Sequence, residues 1–210
     1  LEARGFERMM SWTRGVDTEM FRPRDIRLFG NDAPVLLYVG RVAIEKNIQA
    51  FLDLDVPGRK VVVGSGPMLD TYKAAYPNVT FTGKLVGEAL ADAYASADVF
   101  VFPSLTDTFG IVLLEAIASG VPVAAFPVTG PIDNVTPGVT GALDQDLAVA
   151  VSAALELDRA RVREGALSFS WENAARMFIA NIENALFARQ GRHVPQRKRR
   201  RLIKRRAEAR

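Results

Sequence analysis

Short, mostly apolar runs alternate with helical segments through most of this 210-residue chain. The runs are VLLYVG (35–40), KVVVG (60–64), NVTFTG (78–83), ADVFVFPS (97–104) and VPVAAF (121–126). Between them, helices are predicted at about 45–54, 67–76, 87–96 and 110–119. Apolar strands that alternate with helices are typical of a parallel sheet covered on both faces. The sequence therefore predicts an α/β fold with a doubly wound, Rossmann-like parallel sheet.

The same pattern divides the chain into four segments. Residues 31–168 form the predicted Rossmann-like domain, preceded by residues 1–30, which are interpreted as a connector made of a helix end, a strand and an extended stretch. Residues 169–190 predict a C-terminal helix, because apolar residues recur there at three- and four-residue spacing. Residues 191–210 form a basic tail that is predicted to be disordered. The chain begins at Leu1, and we expect it to be a fragment without its N-terminal part.

Composition excludes several classes of site. The chain has no cysteine, so disulfides and thiolate metal sites are impossible, and its one histidine, His193, lies in the basic tail. A histidine base or metal ligand is therefore not available in the predicted domain. The sequence contains no run of about 18 apolar residues, which a membrane span would need, and it shows no signal-peptide pattern. We expect a cytoplasmic protein, with peripheral binding at the inner membrane face as a further hypothesis.

The net charge of +3 hides an asymmetry between the tail and the rest of the chain. Residues 192–210 carry ten basic residues and one acidic residue, whereas the preceding part carries 17 basic and 23 acidic residues. The tail could bind anionic lipid head groups, at about 1 kcal/mol for each cation. It could also be a solubilising terminus. Nucleic acid is the least favoured partner, because no aromatic residues interleave with the cations for base stacking.

An acid precedes the predicted helix 110–119 and a second acid lies within it. The sequence DTFGIVLLE places Asp107 before the helix and Glu115 in its second turn. The unpaired amides at the helix start, from Phe109, Gly110 and Ile111, favour an anion such as phosphate. A carboxylate among apolar neighbours needs donors, and sugar or ribose hydroxyls are good ones. The alternative is that Asp107 is only a helix cap and Glu115 only a surface residue.

Two cations follow the first predicted strand. In VGRVAIEKN, Arg41 and Lys46 are five residues apart where a strand passes into a helix, so both can reach one diphosphate. A solvated pair of loop charges is an equal alternative. The glycine-rich turn GSGP (64–67) is a weaker signal.

Taken together, these segments resemble the C-terminal half of a GT-B glycosyltransferase of family 4, the retaining enzymes that use nucleotide sugars. The resemblance runs in family order from GVDTEMFRP through YVGRVAIEKN, VVVGSGP, ADVFVFPS and DTFGIVLLEAIASGVPVAAF to FSWENAA. The segments AIEKNIQAF and PVTGPID are similar to a bacterial subgroup that contains α-mannosyltransferase-like and diacylglycerol glycosyltransferase-like members.

The resemblance implies a role for each matching residue. Arg41 and Lys46 hold the donor diphosphate, and Asp107 contacts the donor sugar where the family usually has glutamate. Glu115 binds the nucleotide ribose. Arg41, Lys46 and Asp107 are thus the predicted catalytic residues. The remaining predicted donor-binding residues are Gly40, Gly64, Gly66, Thr82, Gly83, Lys84, Thr108, Phe109, Gly110 and Ile111. No cofactor and no metal ion are implied.

The implied reaction is transfer of a hexose, with retention, from a UDP- or GDP-linked sugar to a lipid or glycan acceptor. In the family the acceptor is held by an N-terminal Rossmann domain, which we expect to be the part that this fragment lacks. We therefore expect the chain to bind the donor and to be inactive alone. Two alternatives are a non-catalytic nucleotide-sugar-binding or subunit-interaction module, and a nucleotide-sugar epimerase of the same architecture.

Overall fold

The computed structural model describes residue 5, residues 9–10 and residues 12–189, without the side chains of residues 188–189. The basic tail, including His193, lies outside the described residues. The chain divides into two compact units, Arg14–Ser170 and the combination of Leu1–Thr13 with Trp171–Arg210. The predicted domain boundaries remain predictions.

The larger unit contains a six-stranded, all-parallel sheet. Its strands are β1 (Val35–Val39), β2 (Arg59–Val63), β3 (Thr80–Gly83), β4 (Val99–Phe102), β5 (Val123–Ala125) and β6 (Gly141–Leu143). Their order across the sheet is β3-β2-β1-β4-β5-β6. The predicted Rossmann-like fold is confirmed, and the sixth strand is an addition that the sequence pattern did not reveal.

Helices connect the strands and cover both faces of the sheet. They are α1 (Ile48–Leu52), α2 (Leu69–Ala75), α3 (Gly87–Ala95), α4 (Ile111–Ala118), α5 (Pro131–Asn134), α6 (Leu147–Leu155), α7 (Arg159–Ala166) and α8 (Trp171–Arg189). The predicted helix 45–54 is interrupted: a short 3-10 turn at Ile44–Lys46 is separated from α1 by Asn47 in the left-handed conformation. None of the described helices combines the length and apolar character needed to span a bilayer.

The core lies on both sides of the sheet because alternate residues of each strand point to opposite faces. In β1, Val35 and Leu37 pack into one apolar cluster, and Leu36 and Tyr38 pack into the other. The strand is buried because it pairs with β2 on one side and β4 on the other. The strand order reverses at β1, because β2 and β3 lie on one side of it and β4, β5 and β6 lie on the other. The carboxyl ends of β1 and β4 therefore flank the crevice in which such sheets bind ligands.

The segment that precedes β1 differs from the sequence prediction. The described residues before β1 contain no strand, only an isolated bridge between Val16 and Ser170. The segment is held instead by Arg163 of α7, which donates to the backbone carbonyls of Thr18, Phe21 and Ala118. A side chain replaces the sheet hydrogen bonds that the strand prediction assumed.

The smaller unit is built on α8. Trp12 donates its indole N–H to the carbonyl of Ala174 at 3.1 Å, and its ring lies 5.2 Å from that of Phe178. Ile182 and Leu186 of α8 are exposed.

Candidate functional site

The crevice between β1 and β4 brings together two of the predicted catalytic side chains. The ammonium nitrogen of Lys46 lies 2.7 Å from Oδ1 and 2.9 Å from Oδ2 of Asp107, although the two residues are 61 positions apart. Their side chains are 30% and 22% exposed, respectively, so the ion pair lies within the crevice rather than on the open surface. A cation and an anion are therefore held where ligands of doubly wound sheets bind.

Asn47 fixes the two loops that carry this ion pair. Its left-handed backbone, with a φ of 50°, ends the 3-10 turn that contains Lys46. Its side-chain amide donates to the carbonyl of Pro103 at 2.9 Å, at the end of β4. Sequence reasoning missed this role, although asparagine is one of the few residues that readily adopt the left-handed conformation.

Arg41 lies at the same edge of the sheet but makes a different contact. Its guanidinium pairs with Glu45 at 3.0 Å, and its side chain is 63% exposed. The backbone carbonyl of Arg41 accepts a hydrogen bond from the Tyr38 hydroxyl at 2.8 Å. Burial raises the pKa of Tyr38, as do the nearby charges of Asp107 and Glu45, which keeps the hydroxyl protonated as a donor. The structure thus places the two predicted cations in separate ion pairs.

A cavity of about 490 Å³ adjoins the ends of β1 and β2. Among its lining residues are five that the sequence analysis predicted as site residues: Gly40, Arg41, Gly64, Gly66 and Lys84. Thr82 and Gly83 do not line it. The Thr82 hydroxyl donates to the Gly83 carbonyl at 3.0 Å, and that carbonyl also accepts the Gly64 amide at 2.8 Å.

The glycines of this cavity are required by close backbone packing. A Cβ on Gly64 would lie 1.8 Å from the carbonyl oxygen of Gly40. A Cβ on Gly66 would lie 2.2 Å from the carbonyl oxygen of Val42. The two loops are further joined by a hydrogen bond from the Val42 amide to the Ser65 carbonyl at 3.0 Å. These glycines therefore let two loops meet and shape the cavity wall.

The start of α4 also borders the crevice, beside the loops that follow β1 and β4. Gly110, with a φ of 72°, is the N-cap residue and no side chain caps the helix, so the alternative that Asp107 caps it is wrong. The described residues supply no hydrogen-bond partner for the amides of Phe109 and Gly110. The side-chain amide of Asn134 in α5 donates to the Phe109 carbonyl and so anchors the loop that leads into α4. Thr108, beside them, is exposed.

Phe109 also contacts the segment before β1. The Arg14 guanidinium lies 5.8 Å from the centre of its ring, a cation–π distance. Sequence reasoning missed both Arg14 and Asn134, because neither lies near Phe109 along the chain.

Glu115 of α4 is half-buried, so the alternative that it is a plain surface residue is wrong. Its Oε2 accepts a hydrogen bond from the hydroxyl of Tyr94 in α3 at 2.9 Å. Burial raises the pKa of Glu115, and the hydrogen bond from Tyr94 opposes that rise. The pKa of Tyr94 is raised well above its usual value, mainly by burial and also by the Glu115 charge. The pair can present a carboxylate to hydroxyl donors on a ligand.

Within the described residues, no group of three or more histidine, cysteine, aspartate or glutamate side chains is arranged to hold a metal ion. The roles assigned to the individual site residues remain predictions.

Comparison with known proteins identifies the family. Residues 33–157 match the family model described as glycosyl transferases group 1. The chain belongs to this family. The GDP-mannose-dependent alpha-mannosyltransferase of Mycobacterium tuberculosis is 40% identical over 151 residues, which are 68% of this chain and 40% of that protein. The sulfoquinovosyl transferase SQD2 of Arabidopsis thaliana is 38% identical over 149 residues, which are 63% and 29% of the two chains. This group 1 chain therefore spans less than half the length of these relatives.

Solved structures show the same architecture. Sucrose-phosphate synthase from Thermosynechococcus elongatus superposes with a TM-score of 0.68 at 30% identity, covering 83% of this chain and 52% of that chain. The lipopolysaccharide outer core galactosyltransferase WaaB superposes with a TM-score of 0.69 at 19% identity, covering 90% of this chain and 58% of that chain. At this identity the likeness shows the fold alone. The predicted resemblance to one half of a GT-B glycosyltransferase is confirmed.

Proposed function

We propose that this chain forms the donor site of a retaining hexosyltransferase and binds a nucleotide diphosphate sugar. The observation that carries the proposal is the placement of Lys46, Asp107 and the unpaired amides at the start of α4 around one crevice. A cation and helix-start amides favour a diphosphate, whereas a carboxylate favours sugar hydroxyls. This combination matches the chemistry of a nucleotide sugar.

In the proposed complex, the diphosphate lies between Lys46 and the amides of Phe109 and Gly110. Arg41 is exposed and bound only at the surface to Glu45, so it can turn toward the diphosphate at little cost. As the glycosidic bond breaks, negative charge grows on the leaving diphosphate. Fixed cations and amides stabilise that charge, and removal of one such group typically slows a reaction by about 10²–10³-fold.

The other parts of the donor are assigned by what lies beside the diphosphate. Asp107 accepts hydrogen bonds from the sugar and Glu115 accepts them from the ribose. The base occupies the cavity of about 490 Å³ next to Gly40, Gly64 and Lys84. The 40% identity to a GDP-mannose-dependent relative makes GDP-mannose the first donor to test, with UDP-glucose second. No cofactor and no metal ion take part.

Isothermal titration calorimetry of the chain with GDP-mannose, UDP-glucose and UDP-glucuronate tests this proposal. We expect one of them to bind, with an affinity unchanged by EDTA. Lys46→Ala and Glu115→Ala should each weaken binding about tenfold or more, because each removes a hydrogen bond to or from a charged group. Lys73→Ala, on the exposed surface of α2, is the matched control. If no nucleotide sugar binds, or if Lys46→Ala binds equally well, the proposal is wrong.

The acceptor is proposed to be a lipid or glycan held by a part of the enzyme outside this chain. The chain alone is therefore expected to bind the donor without transferring its sugar. Transfer by the isolated chain would contradict this assignment.

We also propose that residues 192–210 bind the anionic face of a membrane, at the cytoplasmic side. The support is their charge, ten basic residues against one acidic residue. Co-sedimentation of the chain with vesicles tests this. Binding to anionic but not neutral vesicles, lost when residues 192–210 are removed, is expected. Equal sedimentation with and without the tail would leave a solubilising terminus as the better interpretation.

A further inference from the structure

Tyr94 is buried in the core, and its hydroxyl reaches the carboxylate of Glu115 in α4. Its ring is fully buried on α3 and lies edge-to-face with Phe21 at 5.7 Å and tilted against Phe100 at 5.6 Å. These contacts come from the segment before β1 and from β4, respectively. The two side-chain torsions of Tyr94 are therefore set by packing, and its hydroxyl has a fixed position.

That hydroxyl has one proton and two acceptors within reach. Oε2 of Glu115 lies at 2.9 Å, and the carbonyl oxygen of Val112 lies at 3.3 Å. The carboxylate is closer and charged, and hydrogen bonds to charged acceptors are the stronger ones. The proton is therefore donated to Glu115, which fixes one oxygen of its carboxylate.

The other carboxylate oxygen remains available. Oε1 of Glu115 receives no hydrogen bond from the described part of the chain and is not sealed from solvent. An ionised carboxylate offers about four lone-pair sites, so one bond from Tyr94 leaves enough for two further donors. A pair of neighbouring hydroxyls matches this remaining capacity.

The geometry points to Tyr94 as a positioning residue that holds the Glu115 carboxylate in the orientation that accepts both ribose hydroxyls of the donor. This inference rests on the proposed function, because it assumes that a nucleotide binds in the crevice. Glu115 lies on a helix whose neighbouring residues Leu114 and Ala116 are fully buried. Without the Tyr94 hydroxyl, burial raises the pKa of Glu115 unopposed and its rotamer is no longer fixed.

The test compares GDP with 2′,3′-dideoxyGDP by calorimetry, or UDP with its dideoxy counterpart if the donor proves to be uridine-linked. The wild-type chain should bind the ribonucleotide at least about tenfold more tightly. Tyr94→Phe keeps the ring and its packing but removes the hydroxyl. We expect it to reduce the preference to less than about threefold while the dideoxynucleotide affinity stays unchanged. Tyr72→Phe, a buried tyrosine in the other apolar cluster, is the matched control and should keep the full preference.

Three results separate the outcomes. If Tyr94→Phe weakens both nucleotides equally or keeps the preference, the role of Tyr94 is structural and the inference is wrong. If the wild-type chain binds neither nucleotide, the proposed function fails and this inference fails with it. In the Glu115→Gln background, Tyr94→Phe should have no further effect on the preference, and an undiminished effect there would also overturn the inference. A cooperative thermal transition for each variant confirms that it is folded.

Discussion

At the scale of single residues, the site holds its charges in pairs before any ligand arrives. Lys46 is bound to both oxygens of Asp107, and Arg41 is bound to Glu45. In the proposed complex, the diphosphate must draw Lys46 away from Asp107, and the hexose can compensate by donating its hydroxyls to the released carboxylate. The proposal therefore couples the sugar and the diphosphate through one ion pair.

This coupling predicts opposite effects of Asp107→Asn on two ligands. The substitution removes the anion that competes for Lys46, so GDP should bind several-fold more tightly. GDP-mannose should gain less affinity or lose affinity, because the Asp107 carboxylate that accepts hydrogen bonds from its sugar is gone. Calorimetric affinities for the two ligands measure the change. Asp70→Asn, at an exposed position of α2, is the control. An equal loss of affinity for both ligands would contradict the coupling.

A second prediction at this scale concerns Glu115 and pH. Burial raises the pKa of Glu115 in the folded chain above its unfolded value, so the folded chain binds the proton more tightly. The resulting stabilisation is complete below the unfolded pKa and is lost as pH rises through the folded pKa. Glu115→Gln cannot ionise and should escape this loss. Its melting temperature relative to wild type should therefore rise between pH 4 and pH 8. A constant difference across that range would show that burial does not penalise the ionised group.

At the scale of elements, the loops after β1 and β2 depend on glycine at their contact. Gly64 has a φ of 149°, and a Cβ there would collide with the Gly40 backbone. We predict that Gly64→Ala lowers the free energy of unfolding by roughly 3 kcal/mol, because backbone rather than a flexible side chain must move. Urea denaturation measures this loss.

The matched control for that substitution is Gly138→Ala. Gly138 also has a positive φ, of 76°, but no atom lies within 4 Å of the added Cβ. Gly138→Ala should lower the free energy of unfolding by only about 1–2 kcal/mol, the usual cost of a left-handed conformation for a residue with a Cβ. Similar losses at the two positions would mean that backbone strain, and not the loop contact, explains the effect.

The elements that sequence analysis missed have weak local patterns. β6 has only three residues, Gly141–Leu143, and owes its place to pairing with β5. Half of the residues of α7 are charged and the helix buries only Val162 and Ala166, so it shows no apolar stripe. Its one usable signal is Asp158, whose side chain caps the helix by accepting the Ala160 amide at 2.8 Å.

At the scale of the whole molecule, every described residue assigned to the proposed donor site lies in the unit Arg14–Ser170. We predict that a chain of residues 14–170 unfolds cooperatively and binds the donor with an affinity within about threefold of the full chain, because the smaller unit supplies none of the assigned contacts. Thermal unfolding and calorimetry measure the two properties. Loss of donor binding by a folded 14–170 chain would show that the site needs more than this unit.

The sequence by itself determined the Rossmann-like sheet, the helix that follows Gly110 and the two acidic residues on either side of its start. Each depends on local periodicity, a capping glycine or a residue type at a fixed spacing, all of which can be read within about ten residues. Only the tertiary structure decided that Lys46 pairs with Asp107, that Arg41 turns to Glu45, and that a buried tyrosine holds Glu115. Two of these three contacts join elements far apart along the chain. They exist because the strand order places β4 beside β1 and packs α3 against α4, a geometry that no local pattern encodes.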